Sequence, residues 1–170
     1  MTQTQTRERT FTWEDPSINA GRIGRTGGLD LLRAMLAGEL PPPPVMRLLD
    51  MSRMEVSEGR VSVEMEPREF HYNPLGTVHG GMLATLLDTA TGCAVHTTLP
   101  AGVGYTSMDL SVKYLRPVTV ESGTLRCVGT ILQRGRRTAL AEARLTDGAD
   151  RLVAHATSTC LLFDLPPAAP

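Results

Sequence analysis

From about His79 to Thr97 the chain is apolar on nearly every side, with Met82, Leu83, Leu86, Leu87, Ala90, Ala94 and Val95 at helical spacing. A helix that is hydrophobic all round has to be buried. This one is too short for a membrane span, and Asp88 interrupts it. Other elements must therefore wrap around it. The rest of the chain offers strands to do so.

The wrapping segments carry a period of two. Arg60–Glu66 alternates Val61, Val63 and Met65 with polar residues, after a Ser57-Glu58-Gly59 turn that follows a mostly apolar Met46–Val56. Beyond the helix, Thr106–Arg116 alternates Met108, Leu110, Val112 and Tyr114 with polar neighbours. Thr124–Gln133, Arg137–Leu145 and Arg151–Phe163 complete the set, joined by tight turns. The pattern predicts an α+β fold: an antiparallel sheet of about five to six strands around one central buried helix. Ala139, Ala141, Ala143, Ala154 and Ala156 are small enough to let strands pack closely on it.

This body runs from residue 46 to 163. Residues 1–45 form an arm with a helix at Leu29–Glu39, where Leu29, Leu32 and Leu36 recur at helical spacing. Pro41–Pro44 stop that helix and make a stiff extended connector. Phe11 and Trp13 are the arm's candidate anchors, and residues 164–170 are expected to be a disordered, proline-rich tail.

With 170 residues, a formal net charge of −1 and 4% aromatics, the chain has no general pull toward nucleic acid or anionic membrane. Its three cysteines lie far apart, which fits a reducing compartment rather than a disulfide framework. His71, His79, His96 and His155 are scattered with no paired-ligand spacing, so no metal is expected. Met1–Asp15 is polar and lacks the apolar core of a signal peptide, which predicts a cytoplasmic protein with no membrane partner.

Asn73–Asp88 carries the chemistry. It reads Asn-Pro-Leu-Gly-Thr-Val-His-Gly-Gly-Met-Leu-Ala-Thr-Leu-Leu-Asp. A helix that starts on bare glycines offers unpaired N–H groups at close range. A carboxylate among leucines is costly unless it has a task or a partner. Together they point to a site that polarises a carbonyl and activates water. His79 and Asp88 are nine positions apart, about 13.5 Å of rise and half a turn out of phase. One chain cannot easily focus both on one small substrate, whereas a two-fold dimer can, with Asp88 of one subunit facing Gly80 of the other. Ala84, Thr85, Thr91 and Gly92 leave room beside the carboxylate. Cys93 reads as core.

Asn73-Pro74-Leu75-Gly76-Thr77-Val78-His79-Gly80-Gly81 followed by Asp88 resembles the active-site signature of hotdog-fold acyl-CoA thioesterases of the phenylacetic-acid-degradation type. The resemblance spans about Met46–Phe163 and includes Tyr114-Leu115-Arg116-Pro117 and Gly135-Arg136-Arg137. It implies that Asp88 is general base or nucleophile and that the Gly80 N–H polarises the thioester carbonyl. It further implies that Asn73 positions water or thioester, that His79 lies near the thioester, and that Ser107 holds the attacking water. Gly81, Arg116, Arg134, Arg136 and Arg137 are the implied contacts to substrate and coenzyme A. No separate cofactor is implied, because coenzyme A is part of the substrate. The assembly implied is a homodimer or a homotetramer of two dimers. Two other functions are compatible with such a chain: a dehydratase or hydratase on acyl thioesters, and a non-catalytic acyl-CoA binder or sensor.

Overall fold

The computed structural model describes residues 5–166. Among these residues four α-helices, α1 (Ser17–Ala20), α2 (Gly28–Leu36), α3 (Pro44–Leu48) and α4 (Gly80–His96), accompany seven strands. The strands are β1 (Met51–Ser57), β2 (Arg60–Met65), β3 (Val103–Ser107), β4 (Ser111–Tyr114), β5 (Leu125–Arg134), β6 (Thr138–Thr146) and β7 (Leu152–Asp164). All pair antiparallel in one sheet, ordered β1-β2-β5-β6-β7-β3, with β4 beside β3 on the same partner, β7. The sheet wraps α4 as expected. No helix among the described residues is long and apolar enough to cross a membrane.

The apolar helix is buried through Leu83, Leu86, Leu87, Ala90, Ala94 and Val95. Its main core partners include Val63, Met65, Leu125, Leu145, Val153 and the small Ala143, Ala154 and Ala156. A second apolar cluster sits at its C-terminal end, where Val95 and Leu99 meet Ala139, Ala141, Cys160 and Leu162. Gly129 on β5 sets the closest approach. A Cβ there would fall onto the Ala90 carbonyl of α4, and a helix backbone cannot give way as a flexible side chain can. Gly129→Ala is therefore expected to destabilise the fold by about 3 kcal/mol. In thermal unfolding this should appear as a midpoint lower by about 10 °C, and an unchanged midpoint would contradict the packing described.

Four expectations change. The strand expected from Met46 begins at Met51, because Pro44 opens the short helix α3 at a position where its missing N–H costs nothing. Asp50, at φ 55°, then reverses the chain into β1. The proline connector is correspondingly shorter, and the boundary drawn at residue 46 falls inside α3. The strand expected over Thr106–Arg116 is two, β3 and β4, separated at Met108–Leu110. There the Asp109 carboxylate accepts the Thr159 N–H (3.1 Å) and its carbonyl accepts the Ser158 hydroxyl (2.8 Å), which replaces the ladder. The tail begins later than residue 164: Asp164 pairs with Val103, and the Leu165 N–H reaches the Gly102 carbonyl at 2.8 Å. Residues 167–170 lie outside the described residues.

The arm is pinned by Arg9, with Trp13 left 57% exposed. The Arg9 guanidinium donates to the carbonyls of Leu48 (2.6 Å) and Arg47 (2.8 Å) and to Asp50 (3.0 Å), and it lies over the Phe70 ring. The forked donor set of arginine suits the open C-terminal end of α3.

Candidate active site

The segment before α4 is tied down at both ends. His71 is buried; its Nδ1 accepts the Arg68 N–H, and its carbonyl accepts the His79 N–H at 2.8 Å. Val78 donates to the Val118 carbonyl (2.8 Å), and the Tyr72 hydroxyl accepts the Val120 N–H (2.8 Å). Between these ties, Asn73 organises the loop. Its Oδ1 accepts the N–H groups of Leu75 (2.9 Å) and Thr77 (3.3 Å), and its Nδ2 donates to the Thr77 hydroxyl (2.9 Å). Among the described residues one amide proton of Asn73 has no acceptor.

His79 caps the helix, and its Nδ1 accepts the Gly81 N–H at 2.9 Å. That contact engages Gly81 and leaves the Gly80 N–H, one position earlier, without an acceptor among the described residues. Tyr114 adds a contact that the alternation of its strand did not reveal. Its hydroxyl donates to the Gly80 carbonyl (2.9 Å), and its ring lies 3.1 Å from where a Cβ at residue 80 would stand. Gly80, Leu83, Tyr114 and Arg116 line a cavity of about 340 Å³.

Asp88 lies two turns further along α4 and is half-buried. The Ser107 hydroxyl at the end of β3 donates to its Oδ1 at 2.9 Å. A separate cavity of about 370 Å³ opens beside the pair, lined by Ala84, Thr85, Met108, Asp109 and Leu110. Ser107 and Asp88 are thus brought together, whereas Gly80 and Asp88 face different hollows, about 12 Å apart along the helix. The arginines are also divided. Arg116 sits beside Gly80, but Arg134 lies with Thr97 and Thr98 at the other end of α4. Arg136 and Arg137 are exposed in the β5–β6 turn.

Burial, reinforced by the Asp88 charge, pushes the Cys93 thiol up to about 12, which disfavours its thiolate. Burial also holds His71 and His96 below the ordinary imidazole value of 6.5. The unfolded chain then takes up protons below about pH 6.5 that the native protein refuses, so stability is full above that pH and falls beneath it. Asp147, held low mainly by its hydrogen bond from Arg151, acts only below its ordinary 3.8. The melting midpoint should therefore drop as pH is lowered from 7 to 5, before carboxylates matter; a flat midpoint across that window would contradict it.

Comparison with known proteins identifies the family. Residues 75–154 match the model of the thioesterase superfamily. Human acyl-coenzyme A thioesterase 13 is 30% identical over 107 residues, which are 62% of this chain and 75% of that protein. The chain belongs to the thioesterase superfamily. A Caenorhabditis elegans protein named as an esterase is 36% identical over 102 residues, 58% of this chain. The matched part spans 59% of that relative's length, under two thirds. A solved structure of a phenylacetic acid degradation-related protein from Ralstonia eutropha JMP134 superposes with a TM-score of 0.69 at 32% identity, covering 76% of this chain and 97% of that one. The family match and the acyl-coenzyme A thioesterase 13 relative support a thioester hydrolase, and the sheet wrapped on a central helix is the hotdog fold.

Proposed function

We propose that this superfamily member hydrolyses acyl-CoA thioesters to a carboxylic acid and free coenzyme A, at a site that two copies of the chain share. The observation that carries the reading is the Ser107–Asp88 hydrogen bond at the mouth of an open cavity. It fixes one carboxylate oxygen and leaves the other for a water proton or for the thioester carbon. Asp88 then acts as general base or as nucleophile.

The Gly80 N–H is the donor for the oxyanion. A preorganised donor of this kind is worth 10²–10³ in kcat. In this reading it comes from a second subunit, which the different cavities lined by Gly80 and Asp88 of one chain support. The edge formed by β3 and β4 supports such pairing. Among the described residues its outer side pairs with no strand, and Met108, Tyr114 and Leu115 along it are 62%, 52% and 54% exposed. A copy docked there in two-fold fashion brings its own Gly80 toward Asp88 and leaves two equivalent sites. Arg116 beside Gly80 is placed to meet the coenzyme's phosphates, and arginine suits them geometrically. The division of the arginines means that Arg134, Arg136 and Arg137 serve the same ligand only from the facing subunit. The thiolate leaves readily, so no acid is required at the sulfur. His79 caps the helix that carries the donor, and Asn73 holds the loop that leads to it.

Thiol release from a panel of aryl, medium-chain and long-chain acyl-CoAs tests this. Hydrolysis of at least one member is the expected result. Release from none, or turnover of an enoyl thioester by hydration alone, would overturn it.

A further inference from the structure

We propose that Tyr105 plugs the inner end of the groove beside Asp88 and so restricts this protein to short acyl groups. The inference rests on the thioesterase reading above. It starts from the alternation of β3, on which residues two apart share a face. Ser107 reaches Asp88 from that face, and Tyr105, two residues earlier, reaches α4 one helical turn further on, at Gly92. The ring edge and hydroxyl of Tyr105 stand 3.1 and 3.2 Å from where a Cβ at residue 92 would be. The absence of a side chain at this buried position is what admits the phenol against the helix. His96 flanks it on the next turn, with ring centroids 5.4 Å apart.

A thioester has two arms, and the site offers them unequal room. The cavity at Asp88 opens outward past Ala84, Thr85, Met108 and Leu110, the side that a nucleotide-bearing arm requires. In this proposal the acyl arm lies on the inner side, between α4 and β3, where Tyr105 covers Gly92 one helical turn, about 6 Å, beyond the carboxylate. The ring packs against the second apolar cluster, with Val95, Leu99, Cys160 and Leu162, so a smaller side chain at residue 105 would open apolar space there. Burial, reinforced by Cys93, Cys160 and Asp88, keeps the Tyr105 hydroxyl protonated well above the usual tyrosine range.

The test compares kcat/KM for butyryl-, octanoyl- and lauroyl-CoA in the wild type, Tyr105→Leu and Tyr105→Phe. The wild type should favour butyryl-CoA over lauroyl-CoA by about tenfold or more, since methylenes that do not fit are discriminated on that scale. Tyr105→Leu should raise the lauroyl-to-butyryl ratio about tenfold while still cleaving butyryl-CoA, and Tyr105→Phe should keep the wild-type ratio. A wild type that cleaves lauroyl-CoA as well as butyryl-CoA overturns the plug. So does an unchanged ratio in Tyr105→Leu, or an equal shift in Tyr105→Phe. If Tyr105→Leu does not fold, the wild-type and Tyr105→Phe profiles still decide. These failures leave the thioesterase reading standing, whereas a wild type that cleaves no acyl-CoA overturns both.

Discussion

Asp88→Asn is expected to lower kcat for thioester hydrolysis by 10²–10⁴-fold, the usual contribution of a positioned general base, and by more if the carboxylate is the nucleophile. Asparagine is nearly isosteric, and its amide oxygen can still accept the Ser107 hydroxyl that now reaches Oδ1 at 2.9 Å. The fold should therefore persist, and circular dichroism and the melting midpoint should change little. KM should also change little, because the substrate's own contacts are untouched. The measurement is thiol release under saturating acyl-CoA, and full activity in Asp88→Asn would remove Asp88 from the chemistry. Ser107→Ala, which takes away only the hydroxyl that orients the carboxylate, should cost less than Asp88→Asn.

Gly80→Pro is expected to lower kcat by 10²–10³-fold while leaving α4 intact. The substitution is chosen for its chemistry. Gly80 is the first residue of the helix, where proline's fixed φ is suited and its missing N–H breaks no helical hydrogen bond. His79 before it is already extended, at φ −61° and ψ 133°, as a residue preceding proline requires. What the substitution removes is the N–H that has no acceptor among the described residues. The ring must displace Tyr114, which stands 3.1 Å from the Cβ position, but that tyrosine is half-exposed at the edge of the sheet and can move. Gly80→Ala, which makes the same contact with Tyr114 yet keeps the N–H, is the control. The two variants should separate by at least tenfold in kcat, and equal losses would assign the effect to Tyr114.

Much of the fold is legible because burial imposes periodicity. The helix from Gly80 to His96 could be read because residues on nearly all its sides had to be apolar, and β5, β6 and β7 because alternate residues face it. The edge broke the rule. Met108, Leu110, Val112 and Tyr114 keep an unbroken alternation, yet the ladder is interrupted at Asp109, whose side chain bonds to the backbone of β7. Periodicity registers which face a side chain takes, and an acceptor that replaces a ladder bond leaves it unchanged. The helix α3 escaped for a related reason: Pro44–Leu48 spans little more than one turn, too short to display a period. At the site, Asp88, Gly80 and Ser107 were marked by residue type in an apolar context, and the structure joins Ser107 to Asp88. Tyr114 entered only within the Tyr114-Leu115-Arg116-Pro117 segment and Tyr105 not at all, because their contacts with Gly80 and Gly92 cross from sheet to helix.

The distance between Gly80 and Asp88 along α4 makes a claim about assembly, and mixing inactive subunits tests it. Asp88→Asn and Gly80→Pro subunits, each inactive alone, are dissociated, mixed in equal amounts and reassembled. In a shared site every mixed dimer regains one intact centre, the unaltered Gly80 of one subunit facing the unaltered Asp88 of the other. Half of the dimers are mixed and half of their sites are intact, so thiol release should return to about a quarter of the wild-type rate. Activity that stays at the level of the separate variants after verified subunit exchange would contradict the shared site and place the whole reaction within one chain.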